Sequence, residues 1–261
     1  MSQYPTWLDV AIQKAHPSWH NIIRNGLEAV RRQNPDYFNQ LTDVFFLPTE
    51  GRIFAAFTQP LDKVRYILIG EGPYPREESA SGYCFMDAAV DAIWSENGLS
   101  KQVNKAVSLR NFIKMLLVSD GTLSPDKLGK EYMIQVVKEV IEKDPTYIRT
   151  IDDLQANLLG NGFLLLNASL VFRQEVSASE ETKVWMPFLY SVLESLDAYQ
   201  RAHKKSIVLV LWGKMAEKFS VGFQKTAYTV AVSEHPYNLS FINNPVMQSL
   251  FKPMRLLKRM S

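Results

Sequence analysis

The chain has 261 residues, of which 46% are hydrophobic and 21% charged, with a formal net charge of +2 and a single cysteine, Cys84. These proportions fit a globular chain that buries a sizeable core in one large domain, and they exclude an intramolecular disulfide and any cysteine-based zinc or iron-sulfur site. No apolar run approaches the ~20 residues a membrane helix needs and no signal-peptide layout opens the chain, so the expectation is a monomeric, cytoplasmic protein that needs no metal and no cofactor.

Helical spacing over residues 19–32 places Ile22, Ile23, Leu27 and Val30 on one face. Pro48 and Gly51 then punctuate the chain ahead of Ile53-Phe54-Ala55-Ala56-Phe57. Residues 64–69, apolar apart from Arg65 and closed by Gly70, predict a strand buried in a parallel sheet. Helical patterns follow over 108–118, with Leu109, Phe112, Ile113 and Leu116 on one side, and over 131–143, where Met133, Val136, Val137 and Val140 repeat. A second strand is predicted over 163–166, a helix over 185–199, a third strand over 206–212, a helix over 215–219 and a fourth strand over 226–232. The run from Phe251 to Met260 carries four basic side chains and no acid, which reads as a solvated helix end in preference to a phosphate-binding stripe. Strands alternating with helices predict an α/β fold around a mainly parallel four-stranded sheet. There is no internal repeat and no low-complexity linker, so a single domain over residues 1–261 is expected.

Ligands of such sheets bind beyond the carboxyl ends of the strands, which directs attention to four segments. They are Gly70-Glu71-Gly72-Pro73-Tyr74-Pro75, Asn167 in Leu165-Leu166-Asn167-Ala168, Trp212-Gly213-Lys214, and Glu234-His235-Pro236-Tyr237-Asn238-Leu239-Ser240. Taken singly, each is explained by turn chemistry, a local cap or a surface histidine. Their joint occurrence in this order calls for another account.

That order resembles the uracil-DNA glycosylases of the common bacterial and eukaryotic type. Their G-Q-D-P-Y is similar to Gly70-Glu71-Gly72-Pro73-Tyr74, their G-L-A-F to Gly82-Tyr83-Cys84-Phe85, and their S-L-x-N to Ser108-Leu109-Arg110-Asn111. Their L-L-L-N is similar to Leu164-Leu165-Leu166-Asn167, their L-L-W-G to Val210-Leu211-Trp212-Gly213, and their H-P-S-P-L-S to His235-Pro236-Tyr237-Asn238-Leu239-Ser240. The resemblance runs from about Trp19 onward, with apparent insertions near 88–105 and 118–152. It implies a single-domain, three-layer fold with the central sheet flanked by helices, acting on DNA that contains uracil or a related base.

The resemblance also implies roles. Phe85 stacks on the flipped base, Asn167 reads its edge through an amide that matches uracil and not cytosine, and Tyr74 crowds the C5 position against thymine, with Gly72 and Pro73 completing the base-binding loop. His235 donates to the developing uracil anion. Leu239 fills the space the base vacates, and Ser108, Lys214 and Ser240 belong to the DNA-contacting set, with Lys105 and Arg110 as further phosphate candidates. The family's catalytic aspartate aligns with Gly72, so Glu71 is the substitute expected to activate water, and Glu234 is a second carboxylate beside His235. A loop of the form G-E-G-P is also similar to that of the iron-sulfur glycosylases, whose cluster cysteines this chain lacks. Two functions follow. One is hydrolysis of the N-glycosidic bond, weakly or with altered specificity. The alternative is a base-reading DNA-binding module or replication and repair accessory factor that has lost catalysis.

Overall fold

The computed structural model describes residues 4–219 and 226–259; Met260 of the basic C-terminal run lies outside them. The chain opens with α1 (Thr6–Gln13) and α2 (His20–Gln33). Trp19 belongs to a 3-10 turn and not to the predicted helix, because His16 caps Pro17–Trp19 by accepting the Ser18 N–H. A short α3 (Tyr37–Gln40) precedes β1 (Tyr66–Gly70). A small hairpin of β2 (Trp94–Ser95) and β3 (Gly98–Leu99) leads into α4 (Lys101–Lys105), α5 (Val107–Ser119) and α6 (Lys130–Val136). After α7 (Ile151–Gly160) come β4 (Phe163–Asn167), α8 (Ala178–Ala202), β5 (Val208–Trp212), α9 (Lys214–Phe219), β6 (Thr229–Ser233) and α10 (Pro245–Phe251).

The central sheet has four strands in the order β4-β1-β5-β6, and helices flank it, giving the α/β fold. β1 and β4 run parallel, from Tyr66 opposite Phe163 to Gly70 opposite Asn167. Ile67, Leu68, Ile69 and all five residues of β4 are buried, which is why both strands read as unbroken apolar runs. β6 begins three residues later than the sequence suggests. The stretch before it is tied to α8 instead of to a ladder, with the Ala227 N–H donating to Asp197 Oδ1 at 2.7 Å and Tyr228 Oη donating to the Leu193 carbonyl at 2.6 Å. α8 begins seven residues before the predicted 185. Its entry is a capping box between Ser177 and Glu180, and the polar first two turns carry no apolar period to detect. α6 passes into a π-turn at Val137–Ile141 and stops there, short of the predicted Lys143.

By internal packing the described residues divide into two compact units, one of residues 4–88, 162–209 and 226–229, the other of residues 89–161, 210–219 and 230–259. In the first, α2 packs against α8 so closely that a β-carbon on Gly26 would meet the Phe188 ring at 2.6 Å. Trp185 and Phe188 pack edge-on in the same core, and Arg173 pairs with the buried Glu181 at 2.8 Å, where the Tyr37 hydroxyl also donates to Glu181.

In the second unit the two insertions join. The Ile93 N–H donates to the Arg149 carbonyl at 2.9 Å, the Ile151 N–H to the Asp91 carbonyl at 2.8 Å, and the Trp94 indole to the Ile148 carbonyl at 2.8 Å. The basic C-terminal run docks on this body. Lys258 pairs with Asp144 at 2.5 Å, and Asn157 Nδ2 donates to the Leu256 and Lys258 carbonyls, both at 2.7 Å. The run leaves the end of α10, and Lys252, Arg255 and Arg259 are exposed as a solvated helix end requires, while Lys258 and the backbone around it are anchored. Among the described residues no helix is long and apolar enough to cross a membrane.

Candidate functional site

In the first unit, the residues singled out at the ends of β1 and β4 come together. The parallel ladder continues past the strands, because Ala168 N–H donates to the Gly70 carbonyl at 2.8 Å and Ser169 N–H to the Glu71 carbonyl at 3.0 Å. Asn167 stands directly across from Gly70. Only glycine fits there, since a β-carbon on Gly70 would lie 2.7 Å from both Asn167 Oδ1 and Cys84 Cβ. Asn167 is 3% exposed, and its Oδ1 is buried with no hydrogen-bond partner. Leaving such an acceptor unpaired costs about 1–3 kcal/mol, an expense that a ligand N–H would remove.

The segment carrying Phe85 is pinned to the same strands. Cys84 donates its N–H to the Leu165 carbonyl at 3.1 Å and its thiol to the Leu68 carbonyl at 3.3 Å. Burial pushes that thiol well above its ordinary range, so it stays protonated. Phe85 itself has φ +66°, a left-handed conformation uncommon for a bulky side chain. The Tyr74 hydroxyl donates to the Phe85 carbonyl at 3.3 Å. Burial first, and then the charge of nearby Asp87, pushes the Tyr74 phenol well up and keeps it a neutral donor.

Glu71 is exposed. With Gly72, Pro73, Ser169, Arg173 and Glu181 it lines a cavity of 260 Å³ whose wall includes none of Tyr74, Phe85 and Asn167. Gly72 does not use the left-handed freedom of glycine. A β-carbon on it would meet only Ser169 Cβ at 3.6 Å and Ser169 O at 3.8 Å, which is ordinary contact.

In the second unit, the segment after β6 is built as a clamped loop. Gly213, with φ +52°, closes β5, and a β-carbon there would strike His235 Cβ at 2.8 Å. Glycine is thus required for the histidine to sit against the strand end. The Tyr237 N–H donates to His235 Nδ1 at 3.1 Å, which puts the proton of the neutral ring on Nε2 and makes that nitrogen a donor.

Asn111 reaches across from α5. It is wholly buried, and its Nδ2 lies 2.8 Å from the Pro236 carbonyl, 3.3 Å from that of Tyr237 and 3.5 Å from that of Asn238. Asn111 ends the Ser108-Leu109-Arg110-Asn111 segment, and its part in holding the loop goes beyond the motif match. Its sequence signal is an amide flanked on the same helix face by Val107 and Met115, of which Met115 is buried.

Glu234 does not face solvent freely. Asn244 Nδ2 donates to it at 2.8 Å, and it also accepts from Ser240. Burial opposes its ionisation, but these hydrogen bonds outweigh burial and hold its carboxyl below the ordinary range. Ser240, expected to contact DNA, therefore has its hydroxyl engaged within the loop. Ser108 lies in the first turn of α5, whose N-cap Ala106 supplies no side-chain cap. Lys214 opens α9 and is exposed, as is Lys105 at the end of α4. Among the described residues no cluster of His, Cys, Asp and Glu could hold a metal ion.

No family model matches the chain. A crystal structure of the wild-type UNG of Nitratifractor salsuginis superposes with a TM-score of 0.83 at 33% identity, covering 95% of each chain. The uracil-DNA glycosylase of Streptococcus mutans is 25% identical over 228 residues, which is 86% of this chain and 85% of that one. That of Phocaeicola vulgatus is 29% identical over 219 residues, 80% of each chain.

Proposed function

The chain belongs to the uracil-DNA glycosylase superfamily, and we propose that it binds uracil presented by DNA and hydrolyses its N-glycosidic bond. The observation that carries this reading is the buried, unpartnered Oδ1 of Asn167 at the end of β4. A pyrimidine with an N3–H and an O4 satisfies both ends of that amide, whereas cytosine presents the reverse pattern. In this reading Phe85 offers its ring to the base and Tyr74, held against the Phe85 carbonyl, excludes a C5 methyl. Pro73 and Gly72 shape the loop between them.

The reaction breaks the bond between C1′ and N1. Uracil leaves with the electron pair, and the Nε2–H of His235 stabilises the charge that develops on O2. Water adds to C1′ and gives its proton to Glu71, the carboxylate next to Gly72, so the products are uracil and an abasic sugar. Leu239, 67% exposed, is the wedge for the vacated stack, and Ser108, Ser240 and Lys214 supply contacts to the strand.

A second reading is favoured by the exposure of Glu71 toward the 260 Å³ cavity on the Arg173 side. In it the protein reads the base without cleaving it. Calorimetric titration with free uracil and thymine, for wild type and Asn167→Ala, tests the base reading shared by both. Binding of uracil alone, abolished by the substitution, is expected, and equal affinity for the two bases would overturn it. Abasic-site formation on a single-stranded uracil oligonucleotide then separates the enzyme from the module.

A further inference from the structure

Resting on the reading above, we propose that Tyr237 is a second DNA-contacting side chain that stacks on a nucleobase flanking the extruded one, so that the loop grips DNA with two prongs, Tyr237 and Leu239. Tyr237 and Leu239 are each 67% exposed, more than any other large apolar side chain among the described residues of the second unit. They stand two residues apart on one loop. The glycosylase motif has serine where this chain has Tyr237, so the aromatic is a feature of this sequence and not of the pattern.

Exposed aromatics on mobile loops mean little, but this loop is held along its length. Asn111 binds the carbonyls of Pro236, Tyr237 and Asn238, the Asn238 N–H donates to the His235 carbonyl at 2.9 Å, and the Tyr237 N–H is tied to His235 Nδ1. Asn244 and Ser240 fasten Glu234 at its base. Among the described residues these hydrogen bonds on residue 237 act through its main chain, while most of its ring is left in solvent. A ring presented on a preorganised backbone loses little freedom on binding, and base-aromatic stacking needs no particular sequence because every base has a π-face. Arg110 adds a cation beside the loop, its Nε donating to Asn111 Oδ1 at 3.4 Å, where a phosphate of the same strand would meet it.

The test uses the full chain and three variants, Tyr237→Ala, Tyr237→Phe and Leu239→Ala. The probes are a uracil oligonucleotide with 2-aminopurine beside the uracil and the same oligonucleotide without uracil, each single-stranded and in duplex. Tyr237→Ala is expected to bind the uracil strand about 5- to 150-fold more weakly, to lose the quenching of 2-aminopurine, and to keep wild-type affinity for free uracil. Tyr237→Phe is expected to stay within about twofold of wild type in all three. Because the ring is exposed and the loop is bonded through its backbone, thermal stability should not move, and circular dichroism checks this. Unchanged binding and unchanged 2-aminopurine emission in Tyr237→Ala overturn the proposal, as does an equal loss in Tyr237→Phe. Failure of the underlying base reading looks different: wild type would not bind free uracil, while a stacking contribution of Tyr237 would still be visible on the strand without uracil.

Discussion

Replacing Gly72 by aspartate puts a carboxylate where the glycosylase motif carries one, and the structure sets what it should cost. The new β-carbon would rest 3.6 Å from Ser169 Cβ and 3.8 Å from Ser169 O, and the backbone at Gly72 is not left-handed. No steric penalty follows, and narrowing the unfolded ensemble contributes about 0.4–1 kcal/mol in favour of the fold. Repulsion from the neighbouring Glu71 opposes this, but Glu71 is exposed and screened. The melting temperature should therefore stay within a few degrees of wild type. A well-placed general base contributes ~10²–10⁴ in rate, so even an imperfect orientation should give roughly tenfold. The assay is single-turnover excision with enzyme in excess over a single-stranded uracil oligonucleotide, abasic sites being read by alkaline cleavage. A Gly72→Asp protein that melts like wild type, binds uracil like wild type and excises no faster would refute the reasoning, because position 72 would then not face the reacting carbon.

Glu71→Gln should lower excision by ~10² or more with uracil affinity unchanged; equal turnover would remove Glu71 from the mechanism. Arg173→Ala leaves the 2% exposed Glu181 without its cation and should cost about 3–5 kcal/mol, measured by denaturant unfolding, whereas a loss below about 1 kcal/mol would make this a surface-like pair. The carboxyl of Glu234 is held below its ordinary range, so its stabilising effect is fully present above the unfolded value of about 4.3 and fades as pH falls through the lower folded value. The gap in melting temperature between wild type and Glu234→Gln should be constant above about pH 5.5 and close on acidification; a gap that widens in acid would reverse the sign of this argument.

How far the molecule could be read in advance depended on how each residue is held. β1, β4 and β5, and the glycines that end β1 and β5, are legible because burial on both faces forces apolar runs. By contrast β6, with Val230 and Val232 exposed, reads only through its β-branched residues and starts later than they suggest. Gly70 and Gly213 carry a steric meaning that sequence hints at and only packing explains, since one makes room for Asn167 and the other for His235. α1 and the polar start of α8 escape notice, the latter because capping and not periodicity defines it. Side-chain direction is hidden altogether. No spacing rule says that Glu71 lines a cavity beside Arg173, that Glu234 is fastened by Asn244, or that Asn111 spends its amide on three backbone carbonyls. Those facts depend on residues 10 to more than 100 positions apart in the chain.

Cys84, wedged against Gly70 with its thiol bonded to the Leu68 carbonyl, gives the protein a built-in clock. It is the one thiol in the chain and is 1% exposed, so an alkylating reagent can reach it only during moments when β1 and the Phe85 segment part. The labelling rate in native buffer then counts those openings, and dividing it by the rate in denaturant yields their equilibrium constant. In the proposed site, uracil held by Asn167 would have to leave before the segment opens, so saturating uracil should slow the alkylation of Cys84.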